Sequence, residues 1–217
     1  MASEPIFIPD NFVAYSKEQM HVPAHYDEDI KSIIIPSGTI SDRVEKLTKD
    51  IFDDYHDKNL HFLCVLKGGF QFFTDINHFY KRFQRNNYQV SNPFSFDFAR
   101  VSSYHNTSST GNVKISMTED LKNIEGKDVL IIEDIVDTGN SMVEFMKELK
   151  QYNPSSVEVA SLLVKRTSLS NGFKPKYAGF SVPNEFVVGY GMDVNEKLRD
   201  IDHLCIISDK GKEKYSN

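Results

Sequence analysis

Val129-Leu-Ile-Ile-Glu-Asp-Ile-Val-Asp-Thr-Gly-Asn-Ser141 decides how this chain is read. Four aliphatic residues, Val129 to Ile132, have the continuous apolar character of a strand covered on both faces. They run directly into Glu133 and Asp134, and a third acid, Asp137, follows. Carboxylates crowded at the mouth of a strand repel one another and are costly to hold there. A diol, a divalent cation or a proton in transit offsets that cost. Thr138-Gly139-Asn140-Ser141 then opens an amphipathic helix, and backbone N–H groups at a helix N-terminus suit a phosphate dianion. A strand ending in a solvated turn with an aspartate cap is the plain structural alternative. A cap needs one acid, whereas this segment has three, so the stretch reads as a sugar-phosphate site.

Working outward, fully apolar strands alternate with helical patterns. A helix is expected from about Asp42 to Tyr55, with Val44, Leu47, Ile51, Phe52 and Tyr55 on one face. A strand, Phe62 to Leu66, ends at Lys67-Gly68-Gly69, and a helix follows with Phe72, Ile76, Phe79, Tyr80 and Phe83 at helical spacing. Phe94 to Val101 reads as a strand, and the polar stretch from Ser102 to Thr110 as a long mobile loop. After Val129 to Ile132, a helix from about Gly139 to Tyr152 carries Met142, Phe145, Met146 and Leu149, and Asn153-Pro154 stops it. Val157 to Val164, Tyr177 to Val182, Phe186 to Tyr190 and Leu204 to Ser208 are further strand candidates. The pattern predicts an α/β fold with a mainly parallel central sheet flanked by helices. In such sheets ligands bind beyond the strand C-termini, where the acids lie.

The bulk properties narrow the partners. A chain of 217 residues with 40% hydrophobic content can bury one sizeable core, so a single domain is expected. With a net charge of −6 and no Lys/Arg-rich block, nucleic acid is excluded as a partner. The two cysteines, Cys64 and Cys205, sit among aliphatics and read as reduced core thiols. No apolar run is long enough to span a bilayer, and no basic stretch followed by an apolar run opens the chain. The expectation is a soluble, cytoplasmic protein with no membrane partner. His21-Val22-Pro23-Ala24-His25 has metal-like i, i+4 spacing, but Pro23 breaks the helix that would align the pair.

The central segment resembles the phosphoribosyl-pyrophosphate signature of the type I phosphoribosyltransferases. Leu66-Lys67-Gly68-Gly69, Ser103-Tyr104, Leu162 to Thr167, Phe186 to Tyr190, and Asp193 through Arg199-Asp200 extend the resemblance to the hypoxanthine-guanine phosphoribosyltransferases, in order and at fitting spacing. It covers roughly residues 30 to 210. It implies a core over about 40–180, a small hood from about 1–35 and 181–217, and a lid loop.

The resemblance also implies a reaction: hypoxanthine or guanine plus phosphoribosyl pyrophosphate gives IMP or GMP plus pyrophosphate, with Mg2+. Asp137 would be the general base/acid for the proton on the purine five-membered ring. Glu133 and Asp134 would hold the ribose hydroxyls, and the turn through Asp137, Thr138, Gly139, Asn140 and Ser141 the 5-phosphate. Lys67 and Gly68, after a cis Leu66–Lys67 peptide, and Arg199 would contact pyrophosphate. Lys165 would donate to the 6-oxo group, Phe186 would stack on the purine, and Val187 would offer backbone groups to its edge. Asp193, with Glu133 and Asp134, would serve magnesium. Ser103 and Tyr104 would belong to the lid, which excludes water from an electrophilic sugar. A homodimer or homotetramer is the usual assembly. Two positions depart from the pattern: Asn140 and Ser102 stand where many members carry lysine, removing positive charge near the phosphates.

Overall fold

The computed structural model describes residues 4–86, 92–103, 113–117 and 120–216, with backbone alone for 102–103 and 113–117. In chain order these form β1 (Ile6–Phe7), β2 (Ile30–Ile35), α1 (Ser37–Tyr55), β3 (Leu60–Val65), α2 (Phe70–Asn86), β4 (Ser95–Ser103) and β5 (Val113–Met117). Then come β6 (Asp128–Val136), α3 (Asn140–Lys150), β7 (Ser156–Lys165), β8 (Tyr177–Val182), β9 (Val187–Val188), β10 (Leu204–Ile207) and α4 (Asp209–Tyr215).

Seven strands make the main sheet in the order β1-β8-β7-β6-β3-β4-β5. Every pairing is parallel except the antiparallel β4–β5 hairpin at one edge. The apolar strands need cover on both faces, and strand alternation sends neighbouring residues to opposite sides. Phe62 and Cys64 of β3, with Leu130 and Ile132 of β6, pack under Val44, Leu47 and Ile51 of α1 and Phe72 and Ile76 of α2. Leu63, Val65, Val129 and Ile131 face the other way, against Met142, Phe145 and Leu149 of α3. A separate three-stranded antiparallel sheet, β2-β10-β9, closes on its own core of Tyr26, Ile30, Ile33, Val188, Leu198, Ile201, Cys205 and Ile207. Both cysteines are free and buried, and burial pushes each thiol up to about 12. Among the described residues no helix is long and apolar enough to cross a membrane.

The structure departs from the sequence reading in several places. β6 runs on to Val136, so Glu133 and Asp134 lie inside the strand, held there by pairings such as Glu133 with Ser161 and Ile135 with Leu163. α1 begins a turn early, at Ser37, because extended Pro36 supplies the carbonyl that accepts from Ile40 N–H. The strand expected over Phe186 to Tyr190 is confined to Val187–Val188, since Gly189, Tyr190 and Gly191 adopt left-handed φ of 92°, 50° and 93°. Residues 6–7 add β1 beside β8 in the main sheet, although that stretch was assigned to the hood. Ser102 and Ser103, read as loop, continue β4 because backbone pairing with Lys114 and Val113 needs no apolar pattern. Tyr104 and the rest of the expected lid, through Asn112, lie outside the described residues.

Candidate active site

The C-terminal ends of β6 and β7 bring the first functional pair together. Val136 pairs with Val164, so the next residues on the two strands, Asp137 and Lys165, emerge side by side. Lys165 Nζ lies 3.3 Å from Asp137 Oδ2. The lysine side chain is 15% exposed and the aspartate 52%, so the cation is sheltered while the carboxylate faces the solvent-accessible side. A proton acceptor and a hydrogen-bond donor for a carbonyl oxygen therefore stand within one heterocycle's reach of each other.

Asp137 also lines a cavity of about 120 Å³ with Glu133, Ile135, Val136, Thr138, Gly139, Ser141 and Met142. Gly139 is the N-cap of α3 with φ 83° and ψ −10°, a conformation that favours glycine. A Cβ there would sit 2.4 Å from Asn171 Oδ1 and 2.8 Å from Phe173 Cβ. Behind the turn, Asn171 N–H donates to Thr138 O at 2.9 Å, and Asn171 Nδ2 donates to Asn140 Oδ1 at 3.0 Å. Phe173 N–H donates to Asn171 Oδ1 at 2.9 Å. The opening amides of α3 are thus held in a fixed turn of a kind that suits an anion. Asn140, where the family often has lysine, contributes fixation of that turn instead of charge.

The two adjacent acids stay within hydrogen-bonding reach of each other, yet each also faces a different neighbour. Glu133 faces the cavity, and burial followed by the charge of Asp134 pushes its carboxyl well above the usual carboxylate range. Asp134 turns toward the Lys67–Gly69 turn, with Oδ1 accepting from Ile135 N–H at 2.9 Å. Gly68 lies so close that a Cβ on it would fall 1.6 Å from Asp134 Oδ2. The Leu66–Lys67 peptide is cis, as the resemblance implies. Gly69 N–H donates to Val65 O, and a Cβ at Gly69 would meet that oxygen at 2.6 Å. Gly69 is required by this close approach to backbone, whereas at Gly68 the group in the way is the end of a side chain.

A second group of charges converges on the same turn from the segment after β9. Gly191 comes so near that a Cβ on it would lie 2.6 Å from Gly68 O. Lys67 Nζ is ion-paired with Glu196, and this hydrogen bond holds the Glu196 carboxyl below the usual range. Arg199 Nη2 lies 2.8 Å from Asp193 Oδ1 and 3.4 Å from Glu196 Oε1, while Nη1 donates to Gly191 O at 2.7 Å. Tyr190 is buried, and its hydroxyl donates to Asp75 on α2. Burial and that bond push the phenol up.

Of the predicted residues, then, Asp137 and Lys165 meet directly, and Glu133, Thr138, Gly139 and Ser141 share a cavity with Asp137. Lys67, Gly68 and Asp134 form one contact group, and Asp193 and Arg199 another joined to it through Glu196. Val187 is buried in β9, and Phe186 stands 46% exposed beside it, its carbonyl accepting from Ile207 N–H. Ser103 is placed by its backbone at the end of β4, and Tyr104 lies outside the described residues. Among the described residues no three His, Cys, Asp or Glu side chains cluster to hold a metal ion. Sequence reasoning passed over Asn171, Asp75, Tyr190 and Glu196. The left-handed φ of Tyr190 and Glu196, like their contacts with Asp75 and with Lys67 and Arg199, is invisible in a pattern of polarity.

Comparison with known proteins bears on this geometry. The phosphoribosyl transferase domain matches residues 35–195. The hypoxanthine-guanine phosphoribosyltransferase of Rattus norvegicus is 45% identical over 213 residues, covering 98% of this chain and 97% of its own. The Homo sapiens enzyme of that name shows the same identity and coverage. The crystal structure of hypoxanthine-guanine phosphoribosyltransferase from Schistosoma mansoni in complex with IMP superposes with a TM-score of 0.82 at 34% identity, covering 98% of this chain and 100% of that one. With this identity sustained over nearly its whole length, the chain belongs to the hypoxanthine-guanine phosphoribosyltransferase family.

Proposed function

We propose that this protein salvages purines by moving a ribosyl 5-phosphate from phosphoribosyl pyrophosphate (the donor) to hypoxanthine or guanine, releasing IMP or GMP and pyrophosphate. The observation that carries the site assignment is the 3.3 Å approach of Lys165 Nζ to Asp137 Oδ2, beside the amide turn that opens α3. The whole chain forms one phosphoribosyltransferase domain in this reading, acting as a cytoplasmic homodimer or homotetramer.

The residues divide the work by charge. Lys165 donates to the 6-oxo group, which hypoxanthine and guanine have and adenine lacks. Asp137 takes the proton of the purine five-membered ring as the new bond forms to the sugar carbon and the bond to pyrophosphate breaks. Phe186 offers an exposed ring face for stacking, and Val187 offers backbone groups to the base edge. Thr138 to Ser141 hold the 5-phosphate through the amides that open α3. Glu133 and Asp134 accept from the ribose hydroxyls. The cavity-facing acid, Glu133, holds its proton more tightly, which lessens repulsion between the pair. Lys67, the Gly68 amide and Arg199 receive the pyrophosphate, with Ser103 and Tyr104 closing over the reacting centre.

The acids fit magnesium delivered with its substrate better than a resident ion. Magnesium is held by one or two carboxylates plus substrate phosphates, and Asp193 near the pyrophosphate cations, with Glu133 and Asp134 on the ribose side, could supply that much. When bound it neutralises charge developing on pyrophosphate.

Incubating the purified protein with the donor, magnesium and each purine base in turn tests the assignment by the absorbance of the nucleotide formed. Hypoxanthine and guanine should be consumed and adenine left. Preferential use of adenine or orotate would overturn it. Sedimentation in the same buffer should give a mass of two or four chains.

A further inference from the structure

We propose that Glu196 is an internal stand-in for pyrophosphate: its carboxylate engages the two cations that the donor's leaving group needs, so that donor binding must displace it. This rests on the assignment of Lys67 and Arg199 to pyrophosphate made above. The two carboxylate oxygens are divided between the cations, Oε2 to Lys67 Nζ and Oε1 to Arg199 Nη2 at 3.4 Å, which is the bridging a diphosphate would provide. Glu196 is not held by burial, since its side chain is 60% exposed. What fixes it is backbone. Asn195 and Glu196 both take left-handed φ, 45° and 68°, and Glu196 N–H donates to Asp193 Oδ2 at 2.7 Å.

The two cations depend on this acid unequally. Arg199 keeps Asp193 and the Gly191 carbonyl without it. For Lys67, Glu196 is the one side-chain partner among the described residues. Displacing an exposed carboxylate costs little, so the device sets donor affinity without blocking the site. It also keeps a flexible lysine aimed at the turn it serves. Glu196 is a positioning residue in this scheme, since the proposal gives it no contact with the reacting atoms.

The test is Glu196→Gln, which preserves shape and the backbone contact to Asp193 while removing the competing charge. An exposed pair of this kind predicts about a two- to fivefold fall in KM for the donor. The calorimetric Kd for inorganic pyrophosphate with magnesium should fall by the same factor, with KM for hypoxanthine unchanged. In a Lys67→Ala background most of the gain should vanish, because the competitor and its main cation act as a unit. Equal or weaker pyrophosphate binding by Glu196→Gln would overturn the stand-in and mark Glu196 as a residue that merely orients the cations. So would a gain that survives in full without Lys67. A wild-type protein that binds no pyrophosphate would overturn the functional assignment as well; binding that the variant fails to tighten overturns only the stand-in.

Discussion

Replacing Gly68 by alanine separates what the fold needs from what the site needs. Gly68 is not among the glycines with left-handed φ, so its backbone accepts alanine, and restricting the unfolded chain stabilises by about 0.4–1 kcal/mol. The new Cβ would lie 1.6 Å from Asp134 Oδ2 and 2.5 Å from its Cγ, so the carboxylate must rotate away. That breaks the 2.9 Å bond from Ile135 N–H, worth about 1.5–3 kcal/mol because the acceptor is charged. The net loss is then about 0.5–2.5 kcal/mol, a fall in Tm of roughly 1–10 °C at this chain length. The protein stays folded at 25 °C, but Asp134 no longer reaches the ribose. Loss of one charge-assisted hydrogen bond in the transition state lowers kcat/KM for the donor by about 10- to 150-fold. Initial rates of IMP formation at varied donor, beside thermal unfolding followed by circular dichroism, measure both quantities. A folded variant with unchanged kcat/KM would refute the reasoning, for the space over Asp134 would then serve nothing. A variant unfolded at 25 °C would show instead that the contact belongs to the core.

Three further perturbations probe other parts of the molecule. Asp137→Asn keeps the shape beside Lys165, so stability should change by no more than about 1 kcal/mol in urea, while kcat falls by about 10²–10⁴; unchanged turnover would remove Asp137 from its acid/base role. Tyr190→Phe deletes the hydroxyl that ties the Gly189–Gly191 turn to Asp75, and urea unfolding should show a loss of about 1–3 kcal/mol. Asp75→Asn alone keeps an acceptor for the Tyr190 hydroxyl and should lose much less, and stability equal to wild type in Tyr190→Phe would discount the tie. His61 is held at about 4, below its usual 6.5, first by burial and then by Lys127, so the unfolded chain binds its proton first as pH falls. Its contribution is complete above the unfolded value and is lost downward between 6.5 and 4, amounting to about 2 kcal/mol between pH 7.5 and pH 5. His61→Gln should lose that much less stability over the same interval, and an identical loss in both proteins would assign the acid sensitivity elsewhere.

The fold was legible where a local pattern and the global arrangement demand the same thing. Val129 to Ile132 is apolar on both sides because both sides are covered, by α1 and α2 on one face and α3 on the other. Periodicity could be read for α2, where Phe72, Ile76, Phe79 and Tyr80 form the buried stripe. It failed where backbone pairing alone holds an element. β1 is a two-residue strand added to an edge, and β5 closes a hairpin with β4, so neither requires an apolar run. β6 was cut short for a related reason: acids at 133 and 134 look like the end of a strand, yet the ladder to β7 continues beneath them.

The site divides the same way. Asp137 and Lys165 could be named only through the family resemblance, and it is the register of β6 with β7 that accounts for their meeting. The glycines of the Lys67 turn were legible as a turn, but their reasons were not: Gly68 leaves room for Asp134, and Gly191, 123 positions further on, comes to rest against the Gly68 carbonyl. Distances of that kind exist only once two segments have docked. Asn171 and Glu196 escaped notice on the same ground, since an exposed asparagine and an exposed glutamate are the commonest of surface residues until the chain places one behind the turn that opens α3 and the other between two cations. What sequence carries well is the chemistry a reaction requires of each residue. What it hides is the set of ordinary residues that hold those groups apart or together.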